Sequence, residues 1–141
     1  MKPQEKKFEI QKEVDGLIFS YPYSLTADTF RRMIFYDIPI DSNKNSTLIF
    51  EEPESNAFPY YTKQFGEKIA IDESNQFFIV THNPYLLKAI IEKSDKNELG
   101  VFVTYFESFE TFVKMLSSEQ ISDFFEKCDP FLSLNKFIQE I

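Results

Sequence analysis

The sequence predicts an α/β fold: a mixed sheet with central parallel strands flanked by helices, plus an antiparallel hairpin and C-terminal helices. Three observations predict it. Thr47–Phe50 and Gln76–Val80 are short apolar runs that end abruptly in polar residues, as strands buried in a parallel sheet do. The stretch between them has helical length and begins at Pro59, and proline suits a first helical turn. Alternating segments lie toward both ends of the chain, which is the pattern of antiparallel pairs. Strand–helix–strand–helix between antiparallel pieces is an α/β arrangement. A length of 141 residues suits one domain, residues 1–141, and no repeat, low-complexity segment or linker divides it.

The elements follow in order. Phe8-Glu9-Ile10 alternates, Asp15-Gly16 signals a turn and Leu17-Ile18-Phe19 is apolar, together a small hairpin. Tyr21–Ser24 is a loop. A helix opens at Thr26-Ala27-Asp28-Thr29 with Thr26 as its cap, and Phe30, Met33, Ile34 and Asp37 share one face. Asp41–Ser46 is a polar loop before the first buried strand. The next helix runs from Pro59 to Ala70, Asp72–Asn75 is a loop, and Gln76–Val80 is the second buried strand. Pro84 starts a short helix through Glu92. Leu99–Tyr105 and Thr111–Leu116 alternate around Glu107–Glu110, a second hairpin. Ser117 or Ser118 caps a helix through Lys127, and a last helix covers Leu134–Ile141.

Composition narrows the class of function. Seventeen phenylalanines and no tryptophan predict a core of Phe and branched aliphatics. Lys+Arg number 15 against Asp+Glu 23, a net charge of −8 that opposes bulk binding to phosphate backbones and favours solubility. Cys128 is the single cysteine, so no internal disulfide forms, which fits a cytoplasmic protein. The charged start, Met1–Lys7, is not a signal peptide, and no apolar run approaches the length of a membrane span.

In open α/β sheets ligands sit beyond the carboxyl ends of the strands. The first apolar run delivers Glu51 and Glu52 there, and the second delivers His82, the single histidine. At a strand end, two adjacent carboxylates can divide the work. One holds a magnesium ion, which prefers oxygen ligands and keeps several waters. The other orients or deprotonates an attacking water. His82 can contact a terminal phosphate oxygen. The plainer readings are a solvated strand end and a structural histidine. Their placement on one edge of a βαβ unit favours the functional reading.

The residues from Ser24 to Lys93 resemble ABC-class ATPases of the SMC-like and OLD-like AAA type. Thr47-Leu48-Ile49-Phe50-Glu51-Glu52-Pro53-Glu54 resembles their Walker B motif, and Ser55-Asn56-Ala57-Phe58-Pro59 the D-loop that follows it. Phe78-Ile79-Val80-Thr81-His82-Asn83-Pro84-Tyr85-Leu86-Leu87 resembles the switch-histidine motif, and Glu52 and His82 stand 82 − 52 = 30 positions apart, as in the family. The resemblance implies a P-loop NTPase C-terminal lobe that works with Mg2+ and ATP. It assigns Glu51 to magnesium, Glu52 to the catalytic base, His82 to the γ-phosphate switch and Asn56 to the D-loop at a dimer seam. The signature segment falls at Tyr23–Arg32, where Ser24 or Thr26 stands for the family serine; there is no glycine there, and an ordinary helix cap explains the same residues.

One departure is large. The Walker A motif, G-x-x-x-x-G-K-[ST], is absent: Gly16, Gly66 and Gly100 are the only glycines, and none has that arrangement. The resemblance is therefore to the C-terminal half of such an ATPase. It implies a Walker A-containing N-terminal half or chain as partner, homo-oligomerisation through an exposed strand edge, and no turnover by this chain alone. Such ATPases are associated with DNA repair, phage defence and nuclease partners, so a nuclease or DNA-processing partner is implied as well, although no nuclease motif or basic patch is present. Two other readings remain. One is a non-catalytic protein-interaction module on a relic ATPase fold. The other is a magnesium-dependent hydrolase using Glu51, Glu52 and Glu54 alone, for which no second ligand cluster is visible.

Overall fold

The computed structural model of the chain describes residues 7–126. An antiparallel hairpin comes first, β1 (Glu9–Val14) with β2 (Leu17–Pro22). Its turn residues Asp15 and Gly16 both take left-handed φ, 52° and 78°, the geometry that matches strand twist in a two-residue turn. A 3-10 turn, Tyr23–Leu25, leads to helix α1 (Asp28–Ser42).

Both ends of this helix differ from the sequence expectation. Thr26 does not cap α1. Its N–H closes the 3-10 turn on the Tyr23 carbonyl, and Ala27 holds the cap position without a side-chain bond. The helix also continues through Pro39, so Asp41 and Ser42 are helical rather than loop. Proline removes one helical donor. Side chains help close the end: Ser42 Oγ donates to the Ile38 carbonyl (2.6 Å) and Asn43 Nδ2 to the Pro39 carbonyl (2.7 Å).

The centre of the fold is a βαβ unit: β3 (Thr47–Glu51), α2 (Pro59–Ala70) and β4 (Gln76–Val80), followed by α3 (Pro84–Lys93). The two strands pair in parallel, from Thr47 opposite Gln76 to Glu51 opposite Val80. A parallel pair needs a crossover, and α2 supplies it. Asp72 sets the entry to β4. Its Oδ1 accepts from Ser74 N (2.7 Å), Ser74 Oγ (2.8 Å) and Asn75 N (2.9 Å). Asn75 then reaches β3's side, donating from Nδ2 to the Asn43 carbonyl and accepting from Ser46 N. Burial alone would raise the Asp72 pKa, but these donors outweigh it and hold the carboxyl below its ordinary 3.8.

The strand runs were expected to be buried on both faces. One face is buried. Phe50 lies at its centre, its ring 5.4 Å from Tyr36, 5.8 Å from Phe65 and 6.2 Å from Phe77. Ile40 of α1 and Ile69 of α2 complete this core, and Leu48 and Ile79 pack against it. Burying one such side chain contributes about 2 kcal/mol. The opposite face carries Ile49, Phe78 and Val80 at 74 %, 56 % and 63 % exposure. Both helices lie on one side of the pair, and nothing among the described residues covers the other.

Strands β5 (Phe102–Glu107) and β6 (Glu110–Met115) form a second hairpin, turning at Ser108 and Phe109 with φ of 50° and 67°. Helix α4 (Ser118–Glu126) follows. Ser117 caps it reciprocally: Ser117 Oγ accepts from Gln120 N, and Gln120 Oε1 accepts from Ser117 N. Val101 and Leu116 form a second small core with Leu87, Ile91 and Ile121. The expected single mixed sheet is not observed. Among the described residues the strands form three two-stranded sheets, because each hairpin closes on its own tight turn and neither pairs with β3 or β4. No helix among the described residues is long and apolar enough to cross a membrane. Cys128 and the helix expected at 134–141 lie outside the described residues.

Helices α2 and α3 meet at Gly66. A Cβ there would stand 2.9 Å from Ala89 Cβ and 3.2 Å from the Leu86 carbonyl oxygen, neither of which is a flexible chain end. Gly66→Ala is expected to lose up to about 2 kcal/mol in urea unfolding, since overpacking (about 1–3 kcal/mol) outweighs the gain in helix propensity (about 1 kcal/mol). Asp72→Ala is expected to lose about 1 kcal/mol at neutral pH. A carboxyl whose folded pKa is lowered stabilises above the unfolded value and loses that contribution as pH falls through the folded one. The gap between wild type and Asp72→Ala should therefore narrow below pH 3.8 in unfolding curves taken across the acid range.

Candidate functional site

The carboxyl ends of β3 and β4 lie side by side because the parallel register places Glu51 opposite Val80. One further ladder-like bond, Glu52 N to the Val80 carbonyl (2.8 Å), extends the pairing past the strand end. There the chain turns sharply. Glu52 takes φ 42° and Asn56 φ 58°. Asparagine tolerates the left-handed region, whereas glutamate rarely visits it. Ser55 N donates to the Glu52 carbonyl and Ala57 N to the Glu54 carbonyl, which closes the turn. Pro53 is buried beneath it.

This turn aims Glu52 at His82. Glu52 Oε1 lies 2.9 Å from His82 Nδ1, and Glu52 Oε2 accepts from Ser55 Oγ at 3.1 Å. Each carboxylate oxygen has two lone pairs, so both keep one for water. The pair is open to solvent, with the His82 and Glu52 side chains 77 % and 48 % exposed. An exposed pair of this kind contributes at most about 1 kcal/mol. Its interest is positional.

His82 is held from its own side as well. Asn83 caps α3, its Oδ1 accepting from Tyr85 N and Leu86 N. Asn83 N donates to Thr81 Oγ1 at 2.9 Å. Thr81 Oγ1 in turn donates to Glu54 Oε1. Glu54 is only 6 % exposed, and its Oε2 is buried without a hydrogen-bond partner among the described residues.

The other predicted residues are placed as follows. Glu51 is exposed at the end of β3, and its carboxylate has no hydrogen bond or ion pair among the described residues. Asn56 is exposed in the turn, and its carbonyl accepts from Thr29 Oγ1 at 3.2 Å. Ser24 sits in the 3-10 turn and Thr26 at its end, and neither is among the hydrogen-bond partners of the Glu52 or His82 side chains. Thr29, the second residue of α1, thus ties this helix start to the turn after β3. Sequence reasoning missed Thr29, Ser55 and Thr81, and gave Glu54 no role beside His82. Their one sequence signal was adjacency: Glu54 stands two residues after Glu52, and Thr81 immediately before His82.

A cavity of about 210 Å³ lies behind the turn, lined by Met33, Tyr36, Pro53, Ala57 and Phe65, but neither Glu52 nor His82 reaches it. The carboxylate end of the strands is instead open surface. No group of three or more His, Cys, Asp or Glu side chains among the described residues is arranged to hold a metal ion. Glu51 offers one oxygen ligand, which does not make a metal site by itself. Nor do these residues make a phosphate cradle, which needs a run of converging backbone N–H groups.

The sequence matches no family model and none of the curated proteins. In three dimensions the chain is similar to a solved structure from work on the "ATP-driven dimerization and DNA stimulated activation of SMC ATPases". The TM-score is 0.56, over 89 % of this chain and 75 % of that one, at 14 % identity. The likeness is one of fold, an α/β arrangement of the SMC ATPase kind.

Proposed function

We propose that this chain is an ATPase module of the ABC class that supplies one wall of a nucleotide site: Walker B, D-loop and switch histidine. The observation that carries the reading is the 2.9 Å approach of Glu52 and His82, residues 30 positions apart brought together at adjacent parallel strand ends. It is supported by the SMC ATPase-like fold and by the order of the motifs along the chain.

In this reading Glu52 is the base toward an attacking water, using a lone pair that Ser55 and His82 leave free. His82 stands beside it to face the terminal phosphate. Glu51 would hold magnesium through a carboxylate oxygen, the kind of ligand that ion prefers. When bound, the ion would supply positive charge against the charge that develops in phosphoryl transfer. The P-loop comes from residues outside this sequence. The open site also requires a partner surface to exclude water, since catalytic electrostatics are strong only where water is displaced. Asn56, in the turn that faces outward, belongs to that seam. Ser24 and Thr26 keep the signature role only if a partner's nucleotide reaches them. The whole of 1–141 acts as one domain, in the cytoplasm.

A second reading has its own observation. The bare face of Ile49, Phe78 and Val80 fits a module that binds another protein without catalysis. The two separate in one series of measurements. Calorimetric titration of Mg-ATP into the chain alone is expected to give no detectable heat of binding. Adding a Walker A-bearing partner should give magnesium-dependent ATP turnover, with Glu52→Gln lowering it at least about 100-fold, as loss of a general base does. A stable complex with unchanged turnover in Glu52→Gln would remove Glu52 from the role of base. A complex indifferent to nucleotide would favour the interaction module.

A further inference from the structure

Two cross-links join the turn after β3 to the junction between β4 and α3. One is Glu52–His82, spanning 30 positions at the surface. The other is Glu54–Thr81, spanning 27 positions and buried on the glutamate side. We propose that Glu54 and Thr81 form a latch that positions His82 against Glu52. The purpose of the latch rests on the ATPase reading; its geometry does not.

An exposed imidazole has little of its own to hold it in place. A solvent-facing ring on a carboxylate competes with water and is held weakly. The backbone of His82 must therefore be fixed by its neighbours. On one side, the Val80 carbonyl is tied to Glu52 N. On the other, Asn83 is fixed by its cap on α3. Thr81 joins these two restraints. Its hydroxyl receives Asn83 N and donates to Glu54, so a single oxygen binds the helix cap to the opposite loop. Glu54 is well placed as the acceptor because it is two residues from Glu52 in the same closed turn. A displacement of either strand end therefore moves both cross-links together.

The energetics argue against a role in stability alone. Glu54 Oε2 is buried and unpartnered among the described residues. A buried acceptor without a donor is unfavourable, and an apolar side chain of similar shape at Glu54 would avoid that cost. A carboxylate kept there is better explained by the alignment it gives.

Because His82 is the only histidine, its ring nitrogens can be read without assignment ambiguity. The neutral tautomer reports which nitrogen donates, and a carboxylate at Nδ1 favours Nδ1–H. The experiment is a long-range 1H–15N correlation on the 15N-labelled full chain at alkaline pH, with the imidazole neutral. Wild type is expected to show Nδ1–H, and Glu52→Ala sets the unpositioned reference. Thr81→Val should move toward that reference, and Thr81→Ser, which keeps the hydroxyl, should stay with wild type. The double variant Glu54→Met with Thr81→Val removes both partners. It strands a single donor, the part-buried Asn83 N, so it should stay cooperatively folded yet lose the Nδ1–H signature, a combination that a merely structural role does not give. A wild-type ratio in a folded Thr81→Val or double variant overturns the latch, as does an Nε2–H ring in wild type. The readout needs no nucleotide. Loss of the signature in the variants, together with absence of turnover when the Walker A partner is added, would uphold the latch and overturn the ATPase reading.

Discussion

The parallel register of β3 and β4 is the constraint on which the rest of the molecule depends. Two strands of five residues have few hydrogen bonds of their own, and an isolated two-stranded ladder is marginal in water. This one is fixed at both ends by side chains. At its start, Asp72 gathers Ser74 and Asn75, and Asn75 reaches across to Asn43 and Ser46. At its finish, Glu52 N continues the pairing to Val80, and Glu54 takes the Thr81 hydroxyl. Between these ends the Phe50 ring anchors the inner face among Tyr36, Phe65 and Phe77. A slip of one residue would turn Phe50 outward and bring Ile49 in. It would also carry Glu52 away from His82.

Helix packing serves the same alignment. Helix α2 has to return the chain from the end of β3 to the start of β4, while α3 leaves directly from His82. Gly66 lets these helices approach closely against Leu86 and Ala89. Lys68 ties α2 to α1 through Asp37 and Asp41, at 3.0 and 2.9 Å. Partial burial would lower the Lys68 pKa, but the hydrogen bonds and charges of Asp41 and Asp37 outweigh it and hold it above the ordinary 10.5. The two helices next to the site are thus joined to each other and to α1 by contacts away from the site itself.

The βαβ unit was legible in the sequence because its signals are local. Proline at positions 59 and 84, and apolar runs with polar ends, mark boundaries without reference to anything distant. The same holds for the Asp15-Gly16 turn and for Ser117 with Gln120. Glu52 and His82 were legible for a different reason: the register follows once two parallel strands and their crossover are recognised. What failed depended on tertiary context. Thr26 has the right hydroxyl for a cap, but the chain makes a 3-10 turn first and starts the helix later. Asp41 and Ser42 read as loop, yet the helix runs through Pro39 to Ser42, and its end is closed by the side chains of Ser42 and Asn43. Ile49 and Phe78 are as apolar as Phe50 and Phe77, so composition alone does not say that one face is uncovered. Glu54 reads only as a carboxylate of a magnesium-dependent hydrolase, and its burial against Thr81 has no local signal.

The bare face and the open site are two aspects of one geometry. Helices cover a single side of the β3–β4 pair, and the outer edges of both strands are unpaired among the described residues. Apolar runs such as these suit strands buried on both sides. A covering surface that paired with an edge of β3 or β4 would extend the sheet in the plane that contains Glu51, Glu52 and His82. It would also bring its own groups to the same carboxyl-terminal end, where ligands of α/β sheets collect. The apolar face therefore favours association, and the in-plane register decides what association does to the site. A partner on the face alone would bury Ile49, Phe78 and Val80 and leave Glu52 and His82 in water. A partner on the edge would enclose them, and it is enclosure that turns an exposed, weakly held pair into a chemically effective one.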